Sequence, residues 1–290
     1  MLNALVEDDF YMQDSCPWCE STESEFEYTG QYECKVVRCK KCGLVYATKV
    51  LNSKGLEKYW SNYESAVHCQ SEEGNIKRQK MYALDYQYIA EYLKDMDHTP
   101  KVLDIGCADG SFLQFFKDGG CECYGVEYGD EAVKKAETKF KLYVGNFPEL
   151  EFDEKYDLII FRGTIQYLLD PKAYFKKAVS LLNDGGLIFI TSSPNADALC
   201  FKLFKERFTQ PVAPTDRYAF TEKVLSDYFY SMGVGLIGHK FFYEETPYAN
   251  KENDIIKVRE GLNELNETGK TTGRSPSFYD NMLTLVYKKF

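Results

Sequence analysis

The spacing of apolar residues changes character twice along this chain. Before residue 50, Glu25–Tyr32 and Glu33–Arg38 read as two short strands around Gly30. Over residues 72–95, Ile76, Met81, Leu84, Tyr88, Ile89 and Leu93 recur at roughly helical spacing, predicting one long helix that stops at His98-Thr99-Pro100. From 101 onward, short apolar runs alternate with amphipathic stretches. Lys101–Ile105, Cys121–Glu127, Leu142–Val144, Tyr156–Phe161 and Leu187–Thr191 read as strands. Ser111–Lys117, Asp130–Phe140 and Pro171–Leu182 read as helices, the first capped by Asp109 or Ser111 and closed by Gly119-Gly120. Such alternation predicts a doubly wound, mostly parallel α/β sheet, with ligands at the carboxyl ends of its strands.

Three stretches stand outside this rhythm. Tyr59, Trp60 and Tyr63 lie in a polar setting, as a surface segment packed on the core or an aromatic strip closing over a ligand. Residues 196–220 form an insertion. Its Phe201, Phe204 and Phe208 have core spacing, and its Asp216-Arg217-Tyr218 is a candidate lining of an acceptor pocket or a capping loop. Residues 249–275 are polar with one short helical stretch and are expected on the surface, where Lys251, Lys257, Arg259, Lys270 and Arg274 are solvated or meet an anionic substrate.

Cysteine usage adds a metal site. Of ten cysteines, Cys16-Pro17-Trp18-Cys19 and Cys39-Lys40-Lys41-Cys42 form two Cys-x2-Cys pairs separated by 19 residues. That spacing lets four thiolates surround Zn²⁺ tetrahedrally, with the strands around Gly30 completing a zinc-ribbon layout. Gly43 follows the second pair, where a tight knuckle favours a permissive backbone. Cys34 reads as a spare thiol.

Charge limits what that ribbon binds. The 290 residues carry 35 Lys plus Arg against 45 Asp plus Glu, a net charge of −10. Residues 1–33 hold nine acidic groups and no Lys or Arg, so a broad nucleic-acid footprint is not expected and a structural, lid or docking role is. No run of about 18 apolar residues exists to span a membrane. The acidic start MLNALVEDDF is no secretory signal, so a cytoplasmic protein with reduced cysteines is expected.

The turn Gly106-Cys107-Ala108-Asp109-Gly110 lacks dinucleotide Gly-x-Gly-x-x-Gly spacing, which disfavours a nicotinamide dehydrogenase. Three residues around it suit a nucleoside instead. Asp104 ends the first strand, Glu127 closes the second where a carboxylate accepts both ribose hydroxyls, and Asn146 offers an amide to an adenine edge.

The ordered series VLDIGCADGSFL, YGVE, VGNF, YDLIIFRGTIQYLLDP and LLNDGGLIFITSSPN resembles the motifs of class I S-adenosylmethionine-dependent methyltransferases across about residues 101–195. A Cys-x2-Cys pair ahead of such a domain resembles a bacterial subgroup acting on sugars, polysaccharides or secondary metabolites. Tyr218–Tyr243 and SPSFYDNMLTLVYKK resemble its last helix and two closing strands. The resemblance implies a Rossmann-like sheet of seven strands. It implies that Asp104 and the backbone of Gly106, Ala108 and Gly110 cradle the methionine part of the cofactor, that Glu127 holds the ribose and that Asn146 and Phe147 contact adenine. Arg162 and Gly163 would face the sulfonium and the acceptor.

Two departures stand out. The middle glycine of the turn is Ala108, and the Glu-His pair of many relatives is replaced by Gln166-Tyr167. The usual imidazole base is therefore missing. Of the three histidines, His98 precedes the first strand, His68 lies between ribbon and core, and His239 lies in the sixth strand. Tyr167 and His239 are the candidate substitutes, each with a structural role as the alternative.

The expected organisation is a zinc-ribbon-like module at 1–50, a helical linker and lid at 51–98, and a cofactor-binding domain at 99–290. The expected function is S-adenosylmethionine-dependent methyl transfer, at oxygen, to a small-molecule or glycan-type acceptor such as a nucleotide-linked sugar. The alternatives are an RNA methyltransferase that uses the ribbon for recognition, and an inactive cofactor-binding protein that docks a partner.

Overall fold

The computed structural model describes residues 5–61 and 71–290. Tyr63, His68, Cys69 and the side chain of Trp60 lie outside the described residues. In chain order the strands and helices are β1 (Phe10–Met12), β2 (Ser24–Thr29), β3 (Lys35–Cys39), β4 (Val45–Ala47), β5 (Lys49–Leu51), α1 (Ser53–Ser61) and α2 (Glu72–Ala90). There follow β6 (Lys101–Ile105), α3 (Leu113–Asp118), β7 (Glu122–Glu127), α4 (Asp130–Ala136), β8 (Lys141–Val144), β9 (Tyr156–Arg162), α5 (Pro171–Leu181) and β10 (Leu182–Pro194). The chain closes with α6 (Leu199–Phe204), β11 (Tyr218–Ala219), α7 (Glu222–Tyr230), β12 (Val234–His239), α8 (Lys251–Thr268) and β13 (Met282–Lys289).

Seven strands form the central sheet in the order β12-β13-β10-β9-β6-β7-β8. All run parallel except β13, which is antiparallel to both β10 and β12. The chain winds from β6 through β7 to the β8 edge, then crosses to β9 on the other side of β6. The β6–β9 boundary is therefore the topological switch point, and its carboxyl end is where a ligand crevice opens in this architecture. The predicted doubly wound sheet is present. Tyr156 through Phe161 of β9 are buried without alternation, as expected of a central strand covered on both faces.

The predicted long helix ends at Ala90 and continues as a turn. Its pattern is not a simple apolar stripe, because Ile76 is exposed while Asp85 is fully buried. The 249–275 excursion holds an 18-residue helix, α8, rather than a short helical stretch. Asn250 caps it by accepting a hydrogen bond from the Asn253 N–H, but Ile255, Ile256 and Leu262 are exposed, which blurs the amphipathic signal.

The N-terminal module does not close on itself. β2, β3 and β4 make an antiparallel sheet that takes β11, from the 196–220 insertion, as its fourth strand with Tyr218 opposite Tyr46. Cys16, Trp18, Cys39, Leu44 and Tyr46 share one buried cluster with Ile159, Phe175, Phe220 and Leu225. Trp18, between the first two cysteines, has its ring centroid 4.8 Å from Tyr228, 5.4 Å from Phe220 and 6.3 Å from Phe175. Phe201, Phe204 and Phe208 are buried, as their spacing predicts.

Candidate functional site

The turn between β6 and α3 is shaped by three residues of positive φ: Gly106 (76°), Ala108 (49°) and Gly110 (75°). A side chain at Gly110 would collide with the Phe140 ring, 2.4 Å from where its Cβ would stand. Ala108 holds its left-handed conformation with a Cβ, a strained choice for an L-residue. Neither Asp109 nor Ser111 caps α3, whose N-cap position is Phe112 and carries no side-chain cap; Asp109 Oδ1 instead accepts the Ser111 N–H at 3.0 Å, bracing the turn ahead of the helix.

Glu127 ties this turn to the next one. Its Oε2 accepts the Ala108 N–H at 3.0 Å, while its Oε1 accepts the N–H groups of Tyr128 at 2.8 Å and Gly129 at 3.0 Å. Asp104, 3% exposed at the end of β6, lies beneath the turn. Its Oδ1 has no hydrogen-bond partner among the described residues. Burial raises its pKa to about 7, against the lowering pull of Arg162, with the Glu127 charge adding to the rise. Thr164, in the turn after β9, closes the floor: it donates to the Ile105 carbonyl at 3.1 Å and stands 3.2 Å from where a Gly106 Cβ would lie.

The Arg162 side chain, expected beside the sulfonium and acceptor, is engaged by α2. Its Nε donates to Asp85 of α2 at 2.9 Å, and its guanidinium lies over the Tyr82 ring at 4.3 Å and the Phe112 ring at 5.3 Å. Asp85 in turn accepts the Thr191 hydroxyl at 2.8 Å. A buried charge needs such a partner, so the helix ahead of the sheet claims the guanidinium. Asn146 is exposed, and its amide joins Glu149 and the Tyr174 hydroxyl, each at 2.7 Å. Phe147 is turned into the core against Phe152 and Tyr174. Tyr128, which follows Glu127 in the chain, is 52% exposed.

His239 is not brought to this site. It ends β12, the edge strand four positions from β6, is largely exposed, and pairs with Glu222 at 3.0 Å. His98 is exposed and bonded to Asp97 and Asp157 at the opposite end of the sheet. Tyr167 lies half-buried in the turn after β9, and its hydroxyl accepts from Gln210 Nε2 at 3.0 Å. The same Gln210 nitrogen reaches Asp216 Oδ1 at 3.1 Å. Sequence reasoning named Asp216 as pocket lining or part of a capping loop and missed Gln210, since nothing local links residues 167 and 210.

The four paired cysteines converge. Their sulfurs all lie within 4.8 Å of one another, with Cys16–Cys42 at 3.6 Å and Cys19–Cys39 at 3.4 Å. Tetrahedral ligation at about 2.3 Å places sulfurs about 3.8 Å apart, so the group fits a zinc ion after small adjustments. Gly43 takes φ +85° in the second knuckle. Cys34 lies outside the group, with its thiol on the Lys49 carbonyl at 3.3 Å.

A family profile described as "Methyltransferase domain" matches residues 75–225. An uncharacterized protein of Methanocaldococcus jannaschii is 28% identical over 166 residues, which are 52% of this chain and 44% of that protein. The ubiquinone biosynthesis O-methyltransferase of Stutzerimonas stutzeri is 21% identical over 130 residues, 41% of this chain and 56% of that one. The chain thus spans about half the length of the curated relatives it matches. Magnesium protoporphyrin IX methyltransferase from Synechocystis PCC 6803, solved with bound SAH, shares the fold at a TM-score of 0.51 and 15% identity, over 82% of this chain and 96% of that one. On its matched half and its sheet order, the chain belongs to the methyltransferase domain family.

Proposed function

We propose that this protein is an S-adenosylmethionine-dependent methyltransferase that methylates a hydroxyl of a small-molecule or glycan-type acceptor, with a structural zinc ion in its N-terminal module. The observation that carries the reading is Glu127 spanning the two turns at the switch point beside a buried, unpartnered Asp104 oxygen. A carboxylate offers about four lone-pair positions, so Glu127 with three amide donors keeps acceptor capacity for a ribose hydroxyl. The orphaned Asp104 oxygen suits the ammonium group of the methionine moiety, because a buried acceptor left unbonded is costly. The backbone of Gly106, Ala108 and Gly110 lets a ligand approach closely, and Tyr128 offers its ring to adenine in the place expected of Phe147. Asn146 retains access to an adenine edge from its exposed position.

The bound cofactor supplies an electrophilic methyl group on a sulfonium sulfur. The protein's own task is alignment of the acceptor oxygen with that carbon. An oxygen acceptor follows the named reaction of the Stutzerimonas stutzeri relative, and a nucleotide-linked sugar follows the resemblance of the ribbon-bearing chain to its subgroup. The burial of Trp18 against the sheet domain favours a structural ribbon over one displayed for RNA.

Calorimetric titration with S-adenosylhomocysteine, beside Glu127→Ala, tests the reading. Binding near the micromolar range, about −8 kcal/mol, that is lost in the variant supports it. Absence of binding to the wild-type protein removes it.

A further inference from the structure

With the Glu-His pair replaced by Gln166-Tyr167 and His239 far along the sheet, an acceptor hydroxyl needs another proton acceptor. The carboxyl edge offers one. Tyr167 lies in the turn after β9 whose Thr164 packs on Gly106, so it belongs to the cofactor side of the crevice. Opposite it stands Asp216, half-buried, whose Oδ1 accepts Gln210 Nε2 at 3.1 Å and whose Oδ2 accepts the Thr215 hydroxyl at 2.9 Å. The Arg217 N–H donates to the Gln166 carbonyl at 2.9 Å, which fastens the Asp216 loop to the turn that carries Tyr167.

We propose that Asp216 is the general base of this protein, held in place by Tyr167 and Gln210. This rests on the methyltransferase reading above. The acceptor O–H bond breaks as its proton passes to an Asp216 oxygen. The oxygen's electron pair forms the new bond to the methyl carbon, the carbon–sulfur bond breaks with its pair retained by sulfur, and the proton leaves Asp216 for solvent. Three features fit this task. The carboxylate has no ion-pair partner among the described residues: Arg217, its neighbour, turns its guanidinium to the Leu51 carbonyl and the Tyr11 hydroxyl. Burial raises its pKa, opposed by hydrogen bonds from Gln210, Thr215 and Tyr167, which moves a weak base toward the working range. And its loop is fastened by hydrogen bonds to the N-terminal module. Val212 N–H donates to the Tyr28 hydroxyl at 2.9 Å, Leu51 N–H to the Pro214 carbonyl at 3.3 Å, and Ala47 N–H to the Arg217 carbonyl at 3.0 Å.

The test compares wild type, Asp216→Asn and Tyr167→Phe of the full chain. The hydroxyl probes are UDP-glucose, dTDP-glucose and 3,4-dihydroxybenzoate, and the thiol probe is 1-thio-β-D-glucose, which ionises without help. Asp216→Asn should bind S-adenosylhomocysteine as wild type does, lose about 100-fold or more in kcat toward hydroxyls and stay within a few-fold toward the thiol. The acidic limb of the wild-type kcat–pH profile should vanish with it. Tyr167→Phe, which removes one hydrogen bond from the carboxylate, should retain turnover with that limb moved to higher pH, and it serves alone if Asp216→Asn fails to fold. The proposal is overturned by equal losses toward hydroxyl and thiol, by hydroxyl transfer within about 3-fold of wild type, or by an unmoved Tyr167→Phe profile. Wild type that binds S-adenosylhomocysteine but methylates no hydroxyl probe also overturns it, leaving the cofactor reading intact. Wild type that binds no S-adenosylhomocysteine removes that reading itself.

Discussion

The Glu127 carboxylate accepts the backbone N–H of Ala108 at 3.0 Å, so the end of β7 holds the turn after β6 in shape. The amide it holds belongs to a residue at φ +49°, a conformation that costs an L-residue about 1–2 kcal/mol. One hydrogen bond thus restrains a strained turn at the mouth of the proposed cofactor site.

Replacing Ala108 by Gly removes that strain and adds some freedom to the unfolded chain, worth about 0.4–1 kcal/mol. Ala108→Gly is expected to match or slightly exceed wild-type stability in urea unfolding. Ala108→Val, with a β-branched side chain in the same conformation, should lose at least about 1–2 kcal/mol. A stable Val variant would show that the turn is not left-handed at this residue.

Asp104 predicts a pH dependence. Its folded pKa of about 7 lies above its ordinary 3.8, so the folded state holds the proton more tightly than the unfolded one. The protonated group favours folding fully below about pH 4, and that contribution is lost as pH rises through about 7, on the order of 4 kcal/mol in all. Asp104→Asn should therefore be more stable than wild type at pH 8 and no more stable at pH 4. In titrations at pH 8 the same variant should bind S-adenosylhomocysteine more weakly, because it loses the partner for the ammonium group. Parallel pH–stability curves for the two proteins would refute the buried-carboxylate account.

Asp85 is fully buried and its ion-pair partner Arg162 is partly buried, so removing Asp85 leaves a largely desolvated guanidinium without its counter-charge. Asp85→Ala is expected to cost about 3–5 kcal/mol in chemical denaturation. Joining it with Arg162→Met should recover much of the loss, because the unpaired guanidinium goes too. A double variant as unstable as the sum of its parts would refute this.

Metal removal should act through Trp18. Elemental analysis is expected to find about one zinc per chain, lost in Cys39→Ser. Chelation should lower the thermal midpoint and red-shift tryptophan emission as the knuckle leaves Tyr228 and Phe220. Unchanged emission after the metal is gone would separate the cysteine group from the anchoring of this ring.

The sequence by itself determined the parts whose chemistry is local. Strand–helix alternation, the small-residue turn at 106–110, the carboxylate ending β7 and the two cysteine pairs are set by spacings of a few residues, and each is found where spacing placed it. The tertiary structure decided whatever depends on two distant stretches meeting. Arg162 faces Asp85 because α2 packs on the sheet, an ion pair that no spacing announces. His239 lies at an edge because strand order, not sequence order, measures distance across a sheet. Asp216 stands beside Tyr167 because β11 is drawn into the N-terminal sheet opposite Tyr46. Local signals arise from backbone geometry and capping, which act over one turn of chain. Long-range pairings arise from the burial of surfaces and charges, which depends only on what the folded chain brings together.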